Sequence, residues 1–182
     1  MEKNQNQEQS KNIHDTSIIR PQIVNDQIKL RSEELAQWRL ISFKKGLRTL
    51  HALELMAQNI YKFQITKESN ELNRMLIAAM CNEMTHYQDF QVKLFEYGFT
   101  PGIFRWAYWI IGFVIGFTSR LIGPEAILKA GIWIETKAVH HYDKLLETIK
   151  WDEQTRKIIE KNQADEFGHI DRWQELLESK QY

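Results

Sequence analysis

Apolar residues recur every three or four positions through most of the chain after residue 30, as in amphipathic helices with one buried face. Leu47, Leu50, Ala57 and Tyr61 share one stripe, and Leu72, Leu76, Ala79, Phe90 and Leu94 another. A third stripe carries Leu128, Gly131, Val139, Tyr142 and Leu146, and the last carries Ile159, Ile170, Trp173 and Leu177. Helix breakers are few, three prolines and eight glycines in all. The pattern predicts five helices: 32–64, with Ser32 as N-cap; 69–97, stopped by Gly98 and Pro101; 102–122; 124–151, begun by Pro124 after Gly123; and 152–179, capped by Asp152. Residues 1–30 read as a polar arm with an extended stretch at Pro21, so the domain proper is 31–182. The fold class is all-α.

The third of these helices differs from the others. Between Arg105 and Arg120 lie 14 residues, Trp106 to Ser119, and none is charged. A bilayer span needs about 20 apolar residues, so crossing would require the arginines to snorkel. Phe104, Trp106, Tyr108, Trp109, Phe113 and Phe117 instead suit the membrane interface, where rings with polar edges lie at headgroup level. Docking of residues 103–122 on a membrane surface is the expectation, and burial within the protein is the alternative. Gly112 and Gly116 allow close helix approach, either to the chain's own bundle or to a second copy in a homodimer.

Composition removes several function classes. Lys plus Arg and Asp plus Glu both total 24, so no general attraction to nucleic acid exists and none is expected as a partner. The lone Cys81 excludes an internal disulfide and any cysteine-rich metal module. Met1 to Ser10 lack the apolar core of a secretory signal, and Glu2, Glu8 and Asp15 precede the first arginine, Arg20, unlike a transit peptide. A peripheral location on the cytoplasmic face of a membrane is the corresponding expectation.

The chemistry lies on the apolar stripes. Glu83-Met84-Thr85-His86 and Glu166-Phe167-Gly168-His169 are two Glu-x-x-His sequences, a spacing that puts both side chains on one helical face. Chance gives roughly half of one such match in a chain of this composition, so location is more telling than number. Glu83 and His86 fall within the buried stripe of the second helix, and Glu166 and His169 within that of the fifth. Glu54 and Glu135 lie on the stripes of the first and fourth. A buried carboxylate must be protonated, paired or bound to a cation, and no lysine or arginine shares these faces. Glu54 precedes Glu83 by 29 positions and Glu135 precedes Glu166 by 31, so one unit occurs twice: a helix with a lone Glu, then a helix with Glu-x-x-His. Folded into a four-helix bundle, the two units bring together four carboxylates and two imidazoles, the ligand set of carboxylate-bridged di-iron or di-manganese centres in ferritin-like proteins. Oxygen and nitrogen donors without thiolate suit iron or manganese. The expected ligands are Glu54, Glu83, His86, Glu135, Glu166 and His169. Tyr142 shares the Glu135 stripe, and His51, Asp165 and Asp171 either orient ligands or are surface and capping groups, as His140 and His141 can be.

Residues 45–175 resemble the demethoxyubiquinone hydroxylase family, membrane-associated di-iron monooxygenases of ubiquinone biosynthesis. The likeness is carried by Arg48, His51-Ala52, Glu54, Ala57, Ile60-Tyr61 and Gln64; by Glu83-Met84-Thr85-His86; by Pro101, Gly112-Phe113, Gly116, Gly123 and Glu125; and by Glu135, His140-His141-Tyr142, Glu166-Phe167-Gly168-His169 and Asp171. It implies a ferritin-like four-helix bundle with an apolar interfacial helix between its two helix pairs. It also implies two iron ions on the six residues above, a quinone-type lipid substrate, O2, and roles for His141 and Tyr142 in quinone binding and electron delivery. The family usually has Asp and Gly where this chain has Leu50 and Leu53, a second Glu at Thr136 and a second His at Ile170. No expected ligand is lost, while Leu53 adds bulk beside the site.

Three other functions fit parts of the pattern: a different di-iron oxidase acting on a quinol or peroxide, iron storage in a ferritin-like shell, and a metal-free scaffold for biosynthetic partners. An exposed apolar third helix opposes storage, since a cage needs soluble outer faces. The residues name no electron donor.

Overall fold

In the computed structural model, residues 23–180 and 182 are described, apart from 32 and 34. Five long helices follow a short 3-10 turn at Asn25–Gln27: α1 (Gln37–Gln64), α2 (Glu71–Glu96), α3 (Arg105–Ile122), α4 (Pro124–Thr148) and α5 (Glu153–Ser179). No strand occurs among the described residues. The fold is the expected helical bundle of ferritin-like type, with α3 inserted between the pairs α1–α2 and α4–α5.

Local chemistry sets most boundaries. The Asn70 side chain accepts from the Asn73 amide at 2.9 Å to start α2, and Asp152 accepts from the Thr155 amide at 3.1 Å to start α5, as expected of that residue. Gly98, at φ 72°, takes the left-handed turn that releases the chain from α2. Gly123, at φ 126°, divides α3 from α4, and Pro124 occupies the first turn of α4.

Several boundaries differ from those read in the sequence: α2 begins at Glu71 rather than 69 and α3 at Arg105 rather than 102, and two further shifts have a visible cause. Helix α1 begins at Gln37 after Ala36, five residues beyond the expected start, and Ser32 and the first 22 residues of the arm lie outside the described residues. The end of the arm follows α2 instead: Arg31 N donates to Glu96 O at 2.7 Å and Lys29 N to Glu96 Oε1 at 3.0 Å. Glu96 is itself buried, in an ion pair with Lys93 at 2.6 Å. Helix α4 stops at Thr148 rather than Trp151, because Trp151 folds back onto Phe43, ring centres 4.7 Å apart, and its indole donates to Leu145 O at 2.9 Å.

The core has two apolar clusters. One contains Leu53, Ile60 and Tyr61 of α1, Leu72 and Leu76 of α2, Leu128 and Ile134 of α4, and Trp173 of α5. The other contains Phe43 and Leu47 of α1, Phe90 and Leu94 of α2, Tyr142 of α4 and Ile159 of α5. Going along α1 and α5 the second cluster comes first; along α2 and α4 the order reverses, so neighbours within each pair are antiparallel. On α2, α4 and α5 the expected ligands fall between the clusters, and on α1 Glu54 follows Leu53 at the edge of the first.

Helix α3 lies on α1. A Cβ on Gly112 would come within 2.5 Å of Met56 O, and one on Gly116 within 2.4 Å of Ile60 O, so both glycines let the two backbones meet. Of the two uses expected for this pair, the structure shows the one in which α3 lies on its own bundle. Only Gly112, Gly116 and Ser119 of α3 are buried. Ile103, Phe104, Trp106, Leu121 and Ile122 are all at least 60% exposed, so α3 is not a core helix. Among the described residues no helix is long and apolar enough to cross a membrane.

Candidate metal centre

The six expected ligands meet between the two apolar clusters. All are buried, none more than 2% exposed. They form two groups, Glu54, Glu83, His86 and Glu166, and Glu83, Glu135, Glu166 and His169, each with ligand atoms within 4.8 Å of one another. Glu83 and Glu166 belong to both, so they are the carboxylates able to bridge two cations, while Glu54 and Glu135 each belong to one. His86 Nδ1 lies 3.1 Å from Glu166, 3.6 Å from Glu83 and 3.7 Å from Glu54. His169 Nδ1 lies 3.2 Å from Glu135, 3.2 Å from Glu166 and 3.3 Å from Glu83. Both imidazoles therefore turn Nδ1 inward.

The arrangement repeats about a pseudo-twofold relation that also includes two tyrosines. Tyr61 stands seven positions after Glu54, and Tyr142 seven after Glu135. Each reaches across to the opposite helix: Tyr61 donates to Glu135 Oε1 through a short hydrogen bond, and Tyr142 donates to Glu54 Oε1 at 2.6 Å. Tyr142 thus holds the Glu54 carboxylate in place. Tyr61, to which the sequence reading assigned no role, is its counterpart; the seven-residue spacing shared with Glu135 and Tyr142 was the available signal. His141 is half-buried, makes no hydrogen bond among the described residues and forms no ion pair with the six; its ring centre is 6.3 Å from that of His140.

Around this centre, His51 is fully buried rather than at the surface: its ring packs on Tyr87, centres 4.1 Å apart, and Nε2 meets Gln91 Oε1 at 2.9 Å. Burial lowers its pKa to about 4. Asp165 reaches His86 Nε2 at 3.2 Å and so can orient that ring, whereas Asp171 is exposed. Leu53, on the residue before Glu54, is part of the apolar cluster.

Burial and clustered charge shift the pKa values of Glu54, Glu83, Glu135, His86 and His169. Burial, followed by neighbouring carboxylates, holds Glu135 well above the ordinary glutamate range, and burial raises Glu54 in the same direction. Burial also opposes charge on Glu83, but the nearby rings of His169 and His86 prevail and draw it down to about 2. For the histidines burial favours the neutral ring; the surrounding glutamates outweigh it, pushing His169 up to about 12 and His86 also upward. Without a cation, protons thus compensate the clustered negative charge. The compensation is incomplete in geometry: both oxygens of Glu83, Glu135 Oε2, Glu166 Oε1 and His86 Nδ1 are buried without a hydrogen-bond partner. Unpartnered donor atoms that converge on one point fit two oxygen- and nitrogen-ligated divalent cations.

A second feature lies outside this centre. A groove of about 560 Å³ between α1 and the start of α3 is lined by apolar Ile41, Ile103, Phe104 and Tyr108 together with Lys44, Lys45, Arg48 and Arg105. It has no acidic lining residue, and it continues into the exposed apolar face of α3.

Residues 42–180 match the family model described as ubiquinone biosynthesis protein COQ7. The chain is 29% identical over 129 residues to the Dictyostelium discoideum protein named NADPH-dependent 3-demethoxyubiquinone 3-hydroxylase, mitochondrial, covering 68% of this chain and 59% of that one. A Xylella fastidiosa protein named 3-demethoxyubiquinol 3-hydroxylase is 27% identical, with 69% and 58% covered. The Homo sapiens protein with the same name as the Dictyostelium one is 24% identical, with 69% and 60% covered. The chain therefore spans about three fifths of the length of the curated relatives it matches.

Proposed function

The chain belongs to the COQ7 family of ubiquinone biosynthesis proteins, and on that premise we propose that it is a membrane-associated di-iron monooxygenase hydroxylating the ring of a demethoxyquinone. The observation that carries this reading is the pair of buried ligand groups sharing Glu83 and Glu166. Glu54 and His86 complete one cation position, and Glu135 and His169 the other; iron is the metal proposed, with manganese fitting the same donors. When bound, the two ions supply the redox chemistry by which one atom of O2 enters a ring C–H bond and the other leaves as water, two electrons and two protons being consumed.

The chain's own residues hold and shield that chemistry. Four carboxylates offset the cationic charge, and Tyr61 and Tyr142 fix the terminal pair by hydrogen bonds. The apolar clusters on either side keep bulk water from the polar layer, which strengthens every electrostatic contact within it. For His141 we propose contact with the quinone or with the electron donor from outside the centre, a role read from the family pattern. The Dictyostelium and human relatives are named as NADPH-dependent.

The exposed face of α3 is proposed to rest on the membrane surface, with the basic groove at its start beside the headgroups, so that a lipid-soluble ring is taken from the bilayer. The location is peripheral, with the cytoplasmic face as the expected side; the Dictyostelium and human relatives are named as mitochondrial. Incubating the reconstituted iron-loaded chain with a demethoxyquinone, reductant and ¹⁸O₂ tests the function by mass spectrometry. The expected product carries one ¹⁸O on the ring; a chain with two irons bound and no ring incorporation contradicts the proposal.

A further inference from the structure

The pseudo-twofold relation that pairs the glutamates, histidines and tyrosines is broken in one place. Asn82 immediately precedes Glu83, and Asp165 immediately precedes Glu166. Each crosses between α2 and α5 to the outer nitrogen of the opposite histidine: Asp165 Oδ2 lies 3.2 Å from His86 Nε2, and Asn82 Nδ2 lies 3.1 Å from His169 Nε2. Equivalent places in the two halves are thus filled by a carboxylate and by an amide.

That difference bears directly on the donor strength of the rings. Both histidines point Nδ1 at the carboxylates, so a ring giving its Nδ1 lone pair to a cation carries its proton on Nε2 and needs an acceptor there. Asp165 offers His86 a charged acceptor already in place. Asn82 must rotate its amide to offer His169 the neutral Oδ1. A hydrogen bond to an ionised acceptor is roughly twice as strong as a neutral one, and it draws the proton away from the ring, making Nδ1 the better donor. Otherwise the two positions have matching donors: one terminal Glu bonded to a Tyr, one His, and the same two bridging carboxylates.

We infer that Asp165 and Asn82 make the two metal positions unequal, so that the Glu54–His86 position binds its ion more tightly and fills first. This rests on the reading of the cluster as a two-metal centre. Both side chains are partly exposed, and Asp and Asn have the same shape, so each can be exchanged without disturbing the packed core.

The test is an anaerobic titration of the full chain with Co(II), followed by its visible absorption and by calorimetry, with circular dichroism confirming that each variant is folded. Asp165→Asn should weaken the first binding step by about tenfold or more, the usual effect of losing such an outer partner. Asn82→Asp should tighten the second step by a similar factor and bring the two steps together. Half-loaded Co(II) protein should show one paramagnetically shifted imidazole N–H resonance, retained in His169→Gln. An unchanged first step in Asp165→Asn, or a half-loaded resonance that disappears in His169→Gln, would overturn the inference. Fewer than two cobalt ions bound by the folded wild-type chain would instead overturn the metal-centre reading, and the inference with it.

Discussion

The middle of the bundle and the outer face of α3 depart from ordinary burial in opposite directions. Between the apolar clusters, six ionisable side chains are withdrawn from water, each at most 2% exposed. On α3 and just before it, Ile103, Phe104, Trp106, Leu121 and Ile122 stand largely in water. A folding chain gains nothing from either arrangement alone: buried carboxylates are costly, and an exposed apolar strip forgoes its hydrophobic stabilisation. Each becomes favourable with something the polypeptide does not supply, cations in one case and an apolar phase in the other. The two regions lie on opposite sides of α1, which contributes Glu54 inward and the seat for Gly112 and Gly116 outward.

The largest effects should come from the shared carboxylates. Glu83→Ala or Glu166→Ala should abolish uptake of both metal ions, whereas Glu54→Ala should remove one; metal content of the folded, iron-loaded variants checks this. If Glu83→Ala still binds one ion as tightly as wild type, Glu83 does not bridge. Next comes the seat of α3. Gly112→Ala places a methyl group against Met56 O and should destabilise the fold by about 3 kcal/mol, at the upper end of overpacking costs, as read from thermal or urea unfolding.

The outer face of the same helix should behave in the opposite way. Replacing Phe104, Trp106 and Leu121 together by Ser should weaken partition onto phospholipid vesicles about 100-fold, while unfolding stability stays within about 1 kcal/mol. A triple variant that binds vesicles normally would remove α3 from the membrane-facing role and sharpen interest in the basic groove.

The last effect is on protons. Glu54 and Glu135 have raised pKa values, as do His86 and His169, the last at about 12, so these groups hold protons in the metal-free centre that a cation must displace. Metal loading should therefore release protons, and affinity should rise with pH, by about tenfold per pH unit for each proton displaced. A pH indicator read during anaerobic loading checks the sign; proton uptake would contradict it.

The sequence carried the inward-facing region more fully than the outward one. Glu54, Glu83, Glu135 and Glu166 could be placed together because helical periodicity fixes the face of each residue, and the 29- and 31-residue spacings reveal the repeated unit. The crossed bonds of Tyr61 and Tyr142 could not, since they depend on α1 and α4 running antiparallel across the centre. His51 passes for a surface group in the sequence, yet Tyr87 and Gln91 from α2 enclose it. The start of α1 at Gln37 goes with the Arg31 amide bonding to the Glu96 carbonyl and the Lys29 amide to the Glu96 side chain, more than 60 positions away. The basic groove likewise joins residues 41–52 with 102–108, and only the parallel packing of α3 on α1 brings them together.

The account stands most directly on one measurement: iron content and the Mössbauer spectrum of the wild-type chain loaded anaerobically and then exposed to oxygen. Two irons per chain with the spectrum of an antiferromagnetically coupled pair is the result expected if Glu83 and Glu166 bridge two positions. Folded protein that binds no iron, or a single uncoupled ion, would contradict it.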